Sequence, residues 1–359
     1  MRLLGVAGLA LLAACATGRP SGRGNVTSID DLFADYSGLV PGASVLVIRD
    51  DRVLLRRAFG MADLPHRTPA TPETNYRLAS LTKQFTAMAI MLLEHDGRLR
   101  YDQPVREILP ELPAAAQPVT IRNLLNHTSG LWDYEDLIPD TQTVQVNDDD
   151  VLRLLARKDT LYFPPGSKFQ YSNSGYVLLG VIVARVSGKS FPAFLHDRIF
   201  APLGMTASVA HVEEQDTIAH RAFGYTPAPA GYTPSDQSVT SATLGDGGVY
   251  TSVDDLMRWD RALNGGGDPR LVDTVALRVA TTPPVLPGGA ASQYGFGWYV
   301  DTYRGERRWW HHGETSGFRN AILRFPGRRF TVIVLTNRNG GEPVSIAERL
   351  ADRLLFTEP

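Results

Sequence analysis

Ser80-Leu81-Thr82-Lys83 places an alcohol and an amine three residues apart. On a helix that spacing puts both side chains on one face, close enough to meet. With Ser80 in the first turn, unpaired backbone N–H groups and the positive end of the helix dipole favour the alkoxide that nucleophilic attack requires. A lysine in a desolvated, positively biased site releases its proton more easily, so Lys83 can take or relay the hydroxyl proton. The chain has 36 basic residues, and only four are lysines. None of the other three, Lys158, Lys168 and Lys189, has a serine three positions earlier. A serine at a helix start is also a common N-cap, and the pair by itself leaves that reading open.

Other catalytic designs are missing. No Gly-x-Ser-x-Gly nucleophile elbow occurs in the sequence. Neither does His-Glu-x-x-His, and the eight histidines show no zinc-like spacing, so neither metal nor cofactor is expected. Gly245 to Gly248 lacks the Lys-Ser/Thr of a phosphate loop. Net charge is −2, with no block of like charge, which favours neither nucleic acid nor an anionic membrane surface as partner.

The N-terminus points to export. Arg2 precedes an apolar run from Leu3 to Ala14, too short to span a bilayer and ordered like a secretory signal. Leu12-Ala13-Ala14-Cys15 resembles the bacterial lipobox, which implies lipidation of Cys15 and a membrane contact through that anchor alone. An ordinary cleaved signal with an incidental cysteine is the alternative. Cys15 is the only cysteine, so disulfides are excluded. The expected location is the cell envelope: the periplasm or, as Ala16 allows, the outer membrane of a Gram-negative cell. Residues 16–28 read as a tether.

The elements that must position Ser80 and Lys83 follow from periodicity. Ala43 to Arg49 and Arg52 to Phe59 read as a hairpin around an Asp50-Asp51 corner. Leu81, Phe85, Met88, Ala89, Met91, Leu92 and Leu93 fall largely at helical spacing, and Gly97 stops the helix. Residues 100–215 are helix-rich, with segments at Val151 to Ala156 and Tyr176 to Val186. Residues 225–248 and 280–293 are rich in Pro, Gly, Thr and Ser and read as loops. Tyr294 to Tyr303, Arg307 to His311, Phe318 to Phe325 and Phe330 to Asn337 read as strands, with a Pro326-Gly327 turn and a last helix from Val344 to Leu355. Strands therefore come from both chain ends. The expectation is an α/β chain of the α+β type, an antiparallel sheet flanked by helices. Residues 29–359 form one domain, with the sheet from about 29–78 and 290–359 and a helix-rich inserted lobe over about 79–289.

Tyr171-Ser172-Asn173, within the run Pro165 to Tyr176 and on to Gly180, resembles the second motif of class C β-lactamases and their relatives in the serine β-lactamase and penicillin-binding superfamily. The resemblance implies that Tyr171 assists proton transfer and that Asn173 orients the lysine and the substrate amide. Taken alone, Tyr171 could be an aromatic before a helix that Asn173 caps. His311-His312-Gly313 lies where the family has Lys-Thr-Gly or His-x-Gly. By that resemblance His311 faces substrate, with the register against His312 open, and the N–H groups of Ser80 and Glu314, around Gly313, hold the oxyanion. Asn126 to Gly130 and Gly245 to Tyr250 are also similar to family segments, so the resemblance extends from about residue 35 to 340.

The three main motifs stand in family order, 91 and 140 residues apart. A histidine in the third motif is more like D-amino-acid peptidases, D-alanyl-D-alanine carboxypeptidases and family VIII esterases than efficient β-lactamases. The resemblance thus implies a monomeric serine hydrolase forming an acyl-enzyme on Ser80 with small esters, amides or D-residue peptides, with β-lactams also in reach. A penicillin-binding-like envelope protein with weak or no catalysis is the alternative.

Overall fold

A computed structural model describes residues 28–213, 217–264, 268, 270, 271 and 273–357. Cys15, the export signal and residues 16–27 of the expected tether lie outside the described residues. Ser28 caps a short helix, Ile29–Leu32, with a reciprocal capping box to Asp31.

The centre of the molecule is a six-stranded antiparallel sheet. Its strands run, in spatial order, Tyr299–Tyr303, Glu306–Thr315, Phe318–Phe325, Phe330–Thr336, Ala43–Arg49 and Arg52–Phe59. The expected hairpin is present, and both corner residues, Asp50 and Asp51, have positive φ, as aspartate tolerates in a tight turn. Ala43–Arg49 pairs with Phe330–Thr336, Ala43 opposite Thr336, so the two chain ends close one sheet.

Alternation along these strands feeds two cores. Val45, Val47, Leu323, Val332 and Val334 face the C-terminal helix Pro343–Leu354, while Leu46, Ile48, Ile322, Ile333 and Leu335 join the main core shared with the inserted residues. Helix Lys83–His95 lies in that main core, buried from Lys83 to Leu93. A helix apolar on nearly every side is one enclosed on every side.

Several segments differ from the sequence reading. Tyr294 precedes the strand, which begins only at Tyr299, because Gly295 and Gly297 interrupt the extended run. The next strand continues to Thr315, past the expected His311, since Phe318–Phe325 pairs with it over that length. Residues 225–248 are not wholly loop: Tyr225–Ala228 and Gly231–Pro234 form a two-stranded ribbon. Helix Val253–Leu263 falls within the 79–289 stretch but packs on the sheet strands Ala43–Arg49 and Phe330–Thr336.

A buried ion pair fixes that helix. Arg324 and Asp260, whose side chains are each 1% exposed, meet at 2.7 Å, and Thr331 also donates to the carboxylate. Asp260→Ala leaves the guanidinium buried without its counter-charge, and the expected cost is about 3–5 kcal/mol of stability. Urea denaturation checks it; a loss below about 1 kcal/mol would contradict a buried pair of this kind.

Candidate active site

Ser80 lies in a 3-10 turn, Ala79–Thr82, that leads directly into helix Lys83–His95, rather than in the α-helix itself. Ala79 has φ +51°, a left-handed conformation that costs a non-glycine residue energy and presents the nucleophile on a sharp corner. Lys83 is fully buried. Its Nζ lies 3.0 Å from Ser80 Oγ, 2.8 Å from Asn173 Oδ1 and 2.9 Å from the backbone carbonyl of Asp246. Burial pushes the amine down to about 8, against the carboxylates of Asp246, Asp133 and Glu135, which favour the charged form.

Tyr171 closes the triangle, its hydroxyl donating to Ser80 Oγ at 2.8 Å. Burial drives the phenol well above its ordinary value, opposed only by the Ser80 hydrogen bond, so at rest Tyr171 keeps its proton. Of the two groups that touch Ser80 Oγ, the amine is the one lowered toward neutrality and the phenol the one that holds its proton.

Asn173 does not act as a cap. Its Oδ1 accepts from Lys83, its Nδ2 donates to Glu135, and its backbone N–H, at the start of helix Asn173–Ser187, is satisfied by Asp133 at 2.7 Å. A carboxylate there also matches the positive helix end. Burial raises the Asp133 pKa.

The two histidines of the third motif are placed differently. His311 is buried, and its ring centroid lies 6.2 Å from that of Tyr171, so it is the histidine turned toward the catalytic groups. Both its nitrogens are occupied by protein. Nδ1 is 2.6 Å from the His312 carbonyl, which can only accept, so Nδ1 carries the proton and Nε2 accepts from the Tyr294 hydroxyl at 2.9 Å. His311 is therefore tied into the aromatic wall beside Tyr171. Burial, with Lys83 nearby, holds it well below the usual histidine range, so it is neutral. Half-buried His312 lies beside Tyr299 and Trp310. Glu314 pairs with Arg319 rather than with His311.

Gly313 explains how this strand reaches the nucleophile. A Cβ there would lie 2.1 Å from the Leu78 carbonyl, so only glycine allows the approach. Ser80 and Glu314 consequently line one cleft of about 50 Å³, together with Arg77, Glu135, Asn173 and Asp246. A larger cavity of about 790 Å³ lies behind residues 237–248 and includes none of Ser80, Lys83 or Tyr171, so the chemistry belongs to the small cleft.

Sequence reading misses Asp133, Glu135 and Tyr294. None sits in a motif. Asp246 lies inside the Gly245 to Tyr250 run, yet it contributes a main-chain oxygen that no side-chain pattern reveals.

A family model described as Beta-lactamase matches residues 29–355. A penicillin-binding protein of Bacillus subtilis (strain 168) is 33% identical over 332 residues, 88% of this chain and 72% of that protein. A D-aminopeptidase of Cereibacter sphaeroides (strain ATCC 17029 / ATH 2.4.9) is 29% identical over 325 residues, which are 89% of this chain but only 61% of that enzyme. Among solved structures, the octameric penicillin-binding protein homologue from Pyrococcus abyssi has a TM-score of 0.80 at 30% identity, covering 92% of this chain and 76% of that one. The D-amino acid amidase from Ochrobactrum anthropi SV3 has a TM-score of 0.75 at 28% identity, covering 91% and 95% respectively.

With Lys83 as acceptor, its proton-free form is the active one. Hydrolysis of p-nitrophenyl acetate should rise about tenfold per pH unit toward about 8 and then level off. Lys83→Arg, which stays charged, should lose about 10²–10⁴-fold in kcat and the acidic limb with it. A flat wild-type profile from pH 6 to 9 would remove Lys83 as the base.

Proposed function

The chain belongs to the beta-lactamase family, and from that premise we propose that it is a serine hydrolase cleaving small amides and short peptides whose acyl part is a D-amino acid with a free α-ammonium group. The observation that carries the reaction is the triangle at Ser80 Oγ, with Lys83 Nζ at 3.0 Å and the Tyr171 hydroxyl at 2.8 Å.

In acylation, Ser80 Oγ attacks the carbonyl carbon as its proton passes to Lys83. The developing oxyanion lies between the N–H groups of Ser80 and Glu314. Tyr171 then supplies the proton to the leaving nitrogen, and the C–N bond breaks. Lys83 then passes the Ser80 proton to the Tyr171 phenolate, which restores both groups. In deacylation water takes the place of the amine: Lys83 accepts its proton, Tyr171 protonates Ser80 Oγ as the ester C–O bond breaks, and the same return from Lys83 to Tyr171 closes the cycle. The reading needs no cofactor. All the named groups come from one chain, so a monomer suffices; the octamer belongs to the Pyrococcus protein.

Electrostatics supports the ammonium. The cleft wall carries the carboxylates of Glu135, Asp246 and Glu314. Arg77, in the same wall, is committed to Gln237 and to the Ser241 carbonyl, and His311 is neutral. An exposed carboxylate at the rim, Glu135, can receive a cation, whereas a substrate carboxylate finds no free charge partner among the described residues there. The D configuration is taken from the likeness to the D-aminopeptidase and D-amino acid amidase. β-Lactams, which carry a carboxylate, fit as slow acylating agents, and activated esters fit by reactivity.

Location forms the second part of the proposal: export and attachment to the cell envelope through a lipid on Cys15, on the strength of Leu12-Ala13-Ala14-Cys15. Cys15→Ser should move the protein from the membrane fraction to the soluble one. Unchanged membrane retention would remove the anchor.

For the substrate, wild type should hydrolyse D-alanine p-nitroanilide while Ser80→Ala does not. Glu135→Gln keeps an oxygen for Asn173 but removes the charge, and should raise KM for the free amine about 10-fold or more while sparing the N-acetylated analogue. Equal effects on both analogues, or faster turnover of benzylpenicillin than of the anilide, would overturn the substrate assignment.

A further inference from the structure

We infer that His127 is the positioning residue of Tyr171, a role that rests on the reading of Tyr171 as proton donor. His127 belongs to Asn126-His127-Thr128-Ser129-Gly130, a segment to which the chemistry above assigns no task.

The segment runs alongside residues 162–172 and receives their backbone N–H groups. Tyr162 donates to the Gly130 carbonyl, Gly166 to that of Thr128 and Gln170 to that of His127, at 2.7, 2.8 and 3.0 Å. At Ser172 the pattern changes. Its N–H donates not to a carbonyl but to the imidazole Nδ1 of His127, at 3.1 Å. His127 therefore holds the residues on both sides of Tyr171, one through its backbone and one through its ring. The same ring backs the phenol itself, with centroids 4.3 Å apart. It is also 4.4 Å from the ring of Tyr294, whose hydroxyl occupies His311.

Two costs attach to this arrangement. His127 has φ +58°, a left-handed backbone uncommon for a non-glycine residue. Because Nδ1 accepts, the neutral ring carries its proton on Nε2, and that buried N–H has no hydrogen-bond partner among the described residues. A strained backbone and an unpaired buried donor each disfavour the native state, and such features persist where the surroundings require them. Here the requirement is the aim of Tyr171. Its own local structure is irregular, lying just before helix Asn173–Ser187, and fixes the phenol poorly without an outside support. Burial and the nearby Lys83 keep the imidazole uncharged, so it adds no second cation beside the amine.

The test is a double-mutant cycle on the full chain with D-alanine p-nitroanilide, using His127→Ala, Tyr171→Phe and the pair. His127→Ala should lower kcat about 10- to 100-fold with KM changed less than about twofold, as expected when a catalytic group is misplaced rather than removed. In the Tyr171→Phe background the same substitution should change kcat less than about twofold, since no hydroxyl remains to be aimed. His127→Asn, which tolerates the left-handed backbone and offers Oδ1 to the Ser172 N–H, should recover part of the lost kcat. Should His127→Ala fail to fold, His127→Asn carries the cycle, and its loss should likewise vanish in the Tyr171→Phe background. An equal loss in both backgrounds, or wild-type kcat in His127→Ala, overturns the inference. Tyr171→Phe with wild-type kcat would instead overturn the reading of Tyr171 on which it rests.

Discussion

A buried amine must be hydrogen-bonded on every side or expelled, and Lys83 shows how much structure that requirement organises. Its three partners come from three separated stretches: Ser80 Oγ, Asn173 Oδ1 and the Asp246 carbonyl. The last is held in place by its neighbour. Gly245 sits so close to helix Asn173–Ser187 that a Cβ would lie 2.2 Å from the Tyr176 carbonyl, and its own carbonyl accepts from Thr86 at 2.6 Å. The second helix, the loop and the nucleophile turn are thus assembled around one nitrogen. The same enclosure that demands these partners lowers the amine toward neutrality, so packing and reactivity have a single cause.

The legible part of this arrangement is the part written in side chains and in period. Short apolar, β-branched runs mark the central strands from both chain ends because both their faces pack on a core, and the corner at Asp50-Asp51 is explicit in its residue types. Ser80, Lys83, Tyr171 and Asn173 are readable because it is their side chains that meet and their motifs are short. Less is available for the rest. Asp246 contributes a carbonyl, Asp133 a carboxylate to another segment's helix start, and His127 a ring to another segment's backbone. Contacts of this sort depend on where loops pass, which no local pattern encodes. For His311 the sequence names the residue but not its partners: Tyr294, 17 residues before it and outside every motif, hydrogen-bonds its Nε2.

Neutrality is the second organising property. Tyr171, Tyr294, His127 and His311 form one aromatic cluster, with neighbouring ring centroids between 4.3 and 6.2 Å apart. Burial keeps the two phenols protonated and the two imidazoles uncharged. On the proposed reading, a proton leaving Ser80 therefore has one basic site within hydrogen-bond reach among the described residues, Lys83, while the phenol opposite, still protonated, is poised to donate. Direction in the proton path comes from the environment, since neither residue type enforces it alone.

The cleft lies at the seam between what the chain ends build and what the insertion builds. Glu314 and Thr315 come from the sheet, while Glu135, Asn173 and Asp246 come from the residues between. Helix Lys83–His95 touches both, buried along its length and carrying the amine at its first turn. A seam of this kind ordinarily admits relative motion. Here a glycine strand pressed on the Leu78 carbonyl from one side and a glycine loop pressed on the Tyr176 carbonyl from the other leave little room for it. Close backbone contact, available only to residues without a Cβ, is what lets two independently built walls meet at a distance set for chemistry.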